Sequence, residues 1–440
     1  MTKVLPNDMV NILYIIATFA FILNLSCPSE LTNTNAIVLI LEYLGVLFVS
    51  NYIIRKNLKA GKKSKERYLA FFLIGLTVSL LFLHFVWTPN LPENSKDWGF
   101  DPQRYYYYSS MFVKGTPMFD GLNYFGIVFF YIGLFYVFGI NPLVPLFINS
   151  LFVLYSVVII SNHFFAIGGK AKYFALLLLI PEVVYFNCIP SREIICLTMA
   201  TIAIVKSYEA IELGNKKSYI SVFLSILLMI IIRPPMGGGV IIAISLFIAL
   251  RGHFKMKYLL IIAVLAIIVV QGLSVSSSLD THQTDTGSSL TEAVSDRISG
   301  DNEEDATASY SSNSLARLLM PHNPVEFIVF GIIRSFAYVI IPPGLLLNPV
   351  EYLNFSKPGT EGFASVTVIL MMIYLPAVYR NIRRKIKGDN SFKIIALALI
   401  TLFFLVGVFN TNIIHQRYRV VYDLFYFSIV ACHLSISKKT

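Results

Sequence analysis

The chain has 440 residues, 56% of them hydrophobic and only 14% charged, with a mean hydropathy of +0.69. Apolar runs of bilayer-crossing length recur along it, which excludes a soluble globular protein; a membrane β-barrel, which would show short alternating segments, is excluded as well. The formal net charge of +10 is therefore read against a membrane, where Lys and Arg mark the cytoplasmic loops, and not against nucleic acid.

In chain order, apolar runs predict spans near 9–26, 36–54, 68–87, 142–165, 173–189, 194–213, 218–233, 236–250, 257–274, 363–380, 392–410 and 417–435. The fold class expected is thus all-α: a single integral membrane domain, 1–440, with about twelve transmembrane helices. The first run reads as a retained span and not as a cleavable signal. Two loops set the orientation. "RKNLKAGKKSKER" at 55–67 carries seven basic residues and one acid, and "RNIRRKIK" at 380–387 carries five basic residues. Both belong on the cytoplasmic side, and the shorter links "GGKAK", "GNKK" and "RGHFKMK" agree. Both termini are then cytoplasmic.

That orientation puts 88–141 and 275–362 outside, although each contains an apolar stretch, at 122–139 and 327–347. A single crossing by either would flip a basic loop, so both read as interfacial or re-entrant helices. The centre of the second loop, "SGDNEEDATASYSSNS", has the composition of a flexible segment.

Nothing in the chain points to a metal or nucleotide cofactor. Cys27, Cys188, Cys196 and Cys432 are scattered, the seven histidines form no metal-ligand pattern, and there is no P-loop, no GxGxxG after a strand and no DxD pair. No cofactor is expected. The candidate residues lie on the outer face. In "FDPQRYYYYSSMF", Asp101 before Pro102 starts a helix running to about Gly115. Asp101 fits either a capping role or that of a general base, and Tyr105, Tyr108 and Phe112 form a stripe suited to the headgroup layer. The outer face also carries Arg104, Arg192, Arg233, Arg297, Arg317, Arg334, Arg417 and Arg419, against only Lys96, Lys114 and Lys357. Arginine in place of lysine suits bidentate binding of phosphate.

Three arginine motifs stand apart. "NCIPSREI" puts Arg192 and Glu193 at a hairpin tip, either as a surface ion pair or as a site. "IIIRPPMGGG" puts Arg233 between two spans too short to cross the hydrocarbon layer, so that it lies below the headgroups and needs a partner. Its prolines break the helix, and its glycines allow close approach of backbone or ligand. "NTNIIHQRYRVVYD" puts His415, Arg417 and Arg419 at the entrance to the last span, with one arginine directed inward and the other snorkelling.

Together "FDPQRYYYYSSMF", "YVFGINPLVPLFINSLFVLYSVVI", "LLLIPEVVYFNCIPSREIICLTMATIAI", "IIRPP" and "HQRYRVVYDLF" resemble membrane glycosyltransferases of the GT-C type, and among them the Wzy-type polymerases of O-antigen and capsular or exopolysaccharide repeats. The likeness covers about 90–240 and 410 onward. It implies a bacterial inner-membrane enzyme whose partners are undecaprenyl-pyrophosphate-linked oligosaccharide, membrane lipids and a chain-length regulator protein, with no role for nucleic acid and no metal. By this resemblance Asp101, Arg192 and Arg233 are catalytic, while Arg104, Arg297, Arg317, His415, Arg417 and Arg419 bind the lipid pyrophosphate or glycan. One acid stands where many GT-C relatives have a pair. Two alternatives stay open: a GT-C transferase adding one sugar from a polyprenyl-phosphate donor, and a lipid-linked oligosaccharide flippase.

Overall fold

A computed structural model describes residues 7–25, 34–90, 101–116, 125–166, 168–251, 329–333, 335–336, 361–409 and 419–436. Every element among them is helical. The helices are α1 (Asn7–Asn24), α2 (Ala36–Tyr52), α3 (Lys62–Phe82), α4 (Asp101–Val113), α5 (Phe125–Phe138), α6 (Leu143–Phe165), α7 (Ala171–Phe174), α8 (Pro181–Asn187), α9 (Arg192–Glu212), α10 (Lys217–Ile232), α11 (Pro234–Leu250), α12 (Glu361–Lys385), α13 (Asn390–Phe409) and α14 (Arg419–Ile436). Two of them continue into π-helical turns, α2 through Ile53–Asn57 and α3 through Leu83–Trp87.

Among the described residues, five helices are long and apolar enough to cross a membrane: Ala36–Asn57, Lys62–Trp87, Leu143–Phe165, Arg192–Glu212 and Gly362–Lys385. Five more, among them Phe125–Phe138, Lys217–Ile232 and Met236–Leu250, are apolar but shorter. The chain is thus an all-helical protein of membrane character. The segments 257–274 and 275–325, expected as a span and a flexible loop, lie outside the described residues, as does most of 327–347.

Local chemistry explains the helix boundaries. Asn35 caps α2 by accepting from the amide of Ile37 at 2.9 Å. Asp389 caps α13, its Oδ1 accepting from Ser391 at 2.9 Å and Phe392 at 3.2 Å. Arg233 precedes Pro234, so its backbone is extended, with φ −156° and ψ 86°, and α10 ends there while α11 begins on the proline.

The expected span 173–189 is not one helix. The chain makes one α-turn at α7, tightens to a 3₁₀ stretch over Ala175–Leu179, turns at Ile180 and resumes as α8 on Pro181. Proline cannot continue the preceding helix. Gly75 of α3 adds a second reason, since a Cβ there would stand 3.1 Å from the Leu178 carbonyl. The non-α stretch is thus held tightly against its neighbour.

The helices pack about one apolar core, to which α3, α6, α8, α9, α13 and α14 contribute residues such as Leu80, Leu154, Tyr185, Leu197, Ile395 and Phe425. The 122–139 stretch belongs to it. Helix α5 buries Val128, Tyr131 and Phe135, and it approaches α10 so closely that a Cβ on Gly126 would sit 2.6 Å from the Ile231 carbonyl. One face of it therefore packs against the bundle, while Phe129, Tyr136 and Val137 on the other are exposed. The glycines after Arg233 also serve packing: a Cβ on Gly237 would meet Ile230 at 2.7 Å, and one on Gly239 would meet Leu405 of α13 at 3.1 Å.

The bundle has two chemically different ends. At the lysine end, Asn162 ties the 57–59 loop to α6, donating to the Asn57 carbonyl at 2.7 Å and accepting from the Lys59 amide at 2.8 Å. Lys170 is fixed there to Ser435 at 3.0 Å, and Arg251 pairs with Glu212. Away from that end, Arg192, Arg233 and Arg419 stand at the α8–α9 turn, the α10–α11 turn and the start of α14.

Candidate functional site

The α8–α9 turn is held rigidly before any charge is considered. The Tyr131 hydroxyl of α5 accepts from the Ser191 amide at 2.9 Å and donates to the Ser191 carbonyl at 3.2 Å. Asn149 of α6 donates to the Ile189 carbonyl at 2.9 Å, and the Ser191 hydroxyl bonds back to Phe186 at 3.0 Å. Each such buried bond contributes about 1 kcal/mol, and leaving either partner bare costs more. They fix where Arg192 and Glu193 leave the turn.

Glu193 is the centre of the first cluster. Its Oε1 takes a 2.7 Å hydrogen bond from Arg233 Nη1 and stands 4.0 Å from Arg192 Nε. Glu193 and Arg233 are 2% and 3% exposed, so the Arg192–Glu193 pair is not a surface pair at a hairpin tip. Arg233 has the buried partner that its position below a short span demanded. The Arg192 guanidinium also lies over the Tyr105 ring, 5.8 Å from its centroid. That contact brings the first outer-loop motif to the arginines, because Asp101 opens α4 one helical turn before Tyr105.

The tyrosines of α4 differ from expectation. Tyr105, Tyr106 and Tyr108 are buried, Tyr106 meets Phe135 edge-on at 5.4 Å, and Ser109 donates to the Val128 carbonyl of α5 at 3.2 Å. They are core residues between α4 and α5 and not headgroup anchors. The amphipathic ring suits both settings; the presence of α5 alongside decides. Arg104 is half-buried on the same helix.

A second cluster surrounds Arg419, the first residue of α14. Its Nε lies 3.1 Å from Glu182 Oε2 and 3.4 Å from Asp423 Oδ1, its Nη2 also bonds Glu182, and Nη2 donates to the Ala364 carbonyl at 3.2 Å. Glu182, at the start of α8 just after the break, and Asp423 are both 0% exposed. Thr367 of α12 accepts from the Glu182 amide at 3.1 Å. Arg419 is thus the inward-directed arginine of its motif. His415, Arg417, Arg297 and Arg317 lie outside the described residues.

No family model matches the chain, and no curated protein or solved structure matches it either. The likeness to GT-C polymerases therefore rests on the quoted motifs. Among the described residues no three His, Cys, Asp or Glu side chains come together as a metal set.

Reading the sequence for outer-face cations missed two acids, Glu182 and Asp423. A signal for both existed. Glu182 interrupts the apolar run "LLLLIPEVVYF", and Asp423 stands one turn after Arg419. The pairing of Glu193 with Arg233, 40 residues away, has no local signature.

Proposed function

We propose that this protein is an inner-membrane glycosyltransferase that polymerises undecaprenyl-pyrophosphate-linked oligosaccharide repeats on the extracytoplasmic face. Supporting this reading is one observation: arginines from two separate turns converge on Glu193, and the helix that Asp101 opens packs against one of them through Tyr105. In the reaction, the bond between the donor sugar's anomeric carbon and the pyrophosphate oxygen breaks. A bond from that carbon to the acceptor hydroxyl oxygen forms. Asp101 takes the hydroxyl proton, and Arg192 and Arg233 stabilise the negative charge gathering on the leaving lipid pyrophosphate. Arg104, Arg297, Arg317, His415, Arg417 and Arg419 are the further contacts this reading assigns to the lipid pyrophosphate or glycan, with a chain-length regulator as protein partner.

Asparagine at position 101 separates chemistry from helix capping. Asparagine keeps a cap acceptor but removes the basic carboxylate. Asp101→Asn is expected to nearly eliminate the polysaccharide ladder on a gel, with membrane protein level unchanged by blot. A full ladder from Asp101→Asn would end its role as base; loss from Asp101→Ala alone would mark it as a cap worth about 1 kcal/mol.

The same reading carries twelve spans with 55–67 and 380–387 cytoplasmic and 275–325 outside. Impermeant thiol labelling of intact cells is expected to mark Ser289→Cys and to spare Ser64→Cys. Labelling of Ser64→Cys from outside would reverse the orientation.

A lipid-linked oligosaccharide flippase is the second reading, favoured by the Arg419 cluster, whose charges lie inside the bundle and not at a helix end facing solvent. Purified protein given lipid-linked repeats discriminates: a polymerase lengthens them, a single-sugar transferase needs a polyprenyl-phosphate-sugar and adds one unit, and a flippase changes neither.

A further inference from the structure

The Arg419 cluster is acceptor-rich. One guanidinium serves two carboxylates, and both reach the same nitrogen, at 3.1 Å for Glu182 and 3.4 Å for Asp423. Glu182 spends Oε2 on Arg419, while its Oε1 receives no hydrogen bond. Asp423 receives no hydrogen bond from Arg419, that contact being an ion pair without hydrogen-bond geometry; its carboxyl faces that of Glu182 at hydrogen-bond range, a contact that two bare carboxylates cannot make. Ser365, next to the Ala364 carbonyl that binds Arg419, has a wholly buried hydroxyl also without a partner. Buried carboxylate oxygens left bare in an apolar bundle are costly, and a small cation or an added proton is what relieves them.

We propose that Glu182 and Asp423 together hold one monovalent cation, Na⁺ or a proton. The groups acting on Asp423 are Glu182 from α8, and Arg419 and Tyr422 from α14 itself. Helix α12 contributes the Ala364 carbonyl and the hydroxyl of Thr367, which binds the Glu182 amide, and α13 contributes the Phe403 ring against Tyr422. On α9, Arg192 and Glu193 belong to the other cluster, and Lys206 and Glu209 pair with each other. The cation therefore balances the second carboxylate, for which Arg419 is shared with Glu182 among the described residues. The proposal does not depend on glycosyl transfer.

The test uses the whole chain in lipid nanodiscs, with Asp423→Asn as the variant, because it leaves Arg419 and Glu182 as a one-to-one pair. Thermal unfolding is followed in sodium, potassium and choline chloride at equal ionic strength and mildly alkaline pH, then in choline during acidification. Binding of radiolabelled Na⁺ to the wild type is measured alongside. For Na⁺, the midpoint rises by several degrees in sodium alone, the rise is absent in Asp423→Asn, and labelled Na⁺ binds saturably. For a proton, sodium has no effect, and the wild type but not the variant gains stability as pH falls, because the folded state then holds a proton that the unfolded chain releases. Both results support the site and name its occupant. Should Asp423→Asn fail to accumulate, saturable Na⁺ binding and the pH response of the wild type still decide. A wild type that binds no Na⁺ and is indifferent to both sodium and acid overturns the proposal and leaves buried water as the partner of these oxygens.

Discussion

Arg419→Ala is expected to remove most of the protein from the membrane fraction. The substitution leaves Glu182 and Asp423 buried together with no cation among the described partners they now share. Removing one member of a buried ion pair costs about 3–5 kcal/mol, comparable to a domain's whole stability. The cost arises from the stranded charges and not from the lost attraction, so it is reversible by chemistry. Adding Glu182→Gln and Asp423→Asn to Arg419→Ala is expected to restore most of the protein, read as membrane-fraction level by blot and as the unfolding midpoint after purification. If the triple variant is as depleted as the single one, packing of the guanidinium matters more than charge. If the triple variant accumulates but makes no polymer, the Glu182–Arg419–Asp423 cluster as a whole has a role in activity beyond holding the bundle together.

Arg233→Ala is expected to behave differently: polymer is lost while the protein persists. Glu193 keeps Arg192 at 4.0 Å when Arg233 is removed, so part of the compensation for its buried carboxylate remains. What disappears is one arm of the arginine pair assigned to the leaving pyrophosphate. Lysine should rescue poorly, because a point charge cannot hold Glu193 with one nitrogen and present a second to phosphate, as a planar fork can. The readout is ladder intensity and length in a strain lacking the native gene, at matched protein level. Wild-type ladders from Arg233→Lys would show that a positive charge alone suffices.

The two cases show what a linear reading reaches. The need of Arg233 for a buried partner was legible because it interrupts two short apolar runs, where a cation without one is costly. The start of α4 at Asp101 was legible because Asp-Pro is local helix-entry chemistry. The buried state of Tyr105 was not, since a tyrosine stripe reads alike for a headgroup layer and for a helix neighbour, and α5 is that neighbour only after folding. Glu182 was visible as an acid inside an apolar run. It was passed over because attention went to cations at the ends of spans, where a lipid phosphate is expected. The break at Pro181 was half legible: proline marks where a helix stops, but the 3₁₀ stretch before it depends on the Gly75 surface of α3.

That break also changes how far the segment reaches. As one straight α-helix, the 17 residues from Ala171 to Asn187 would measure about 26 Å, short of the roughly 30 Å of a bilayer's hydrocarbon layer. The 3₁₀ stretch rises about 2.0 Å per residue, and an extended link at Ile180 gives about 3.3 Å more, so the same residues laid end to end cover about 30 Å. The tighter winding thus lengthens the path that these residues trace without adding any to the chain. Its cost is poorer hydrogen-bond geometry along five residues, of which Ala175, Leu177 and Leu178 are buried and Leu176 is exposed.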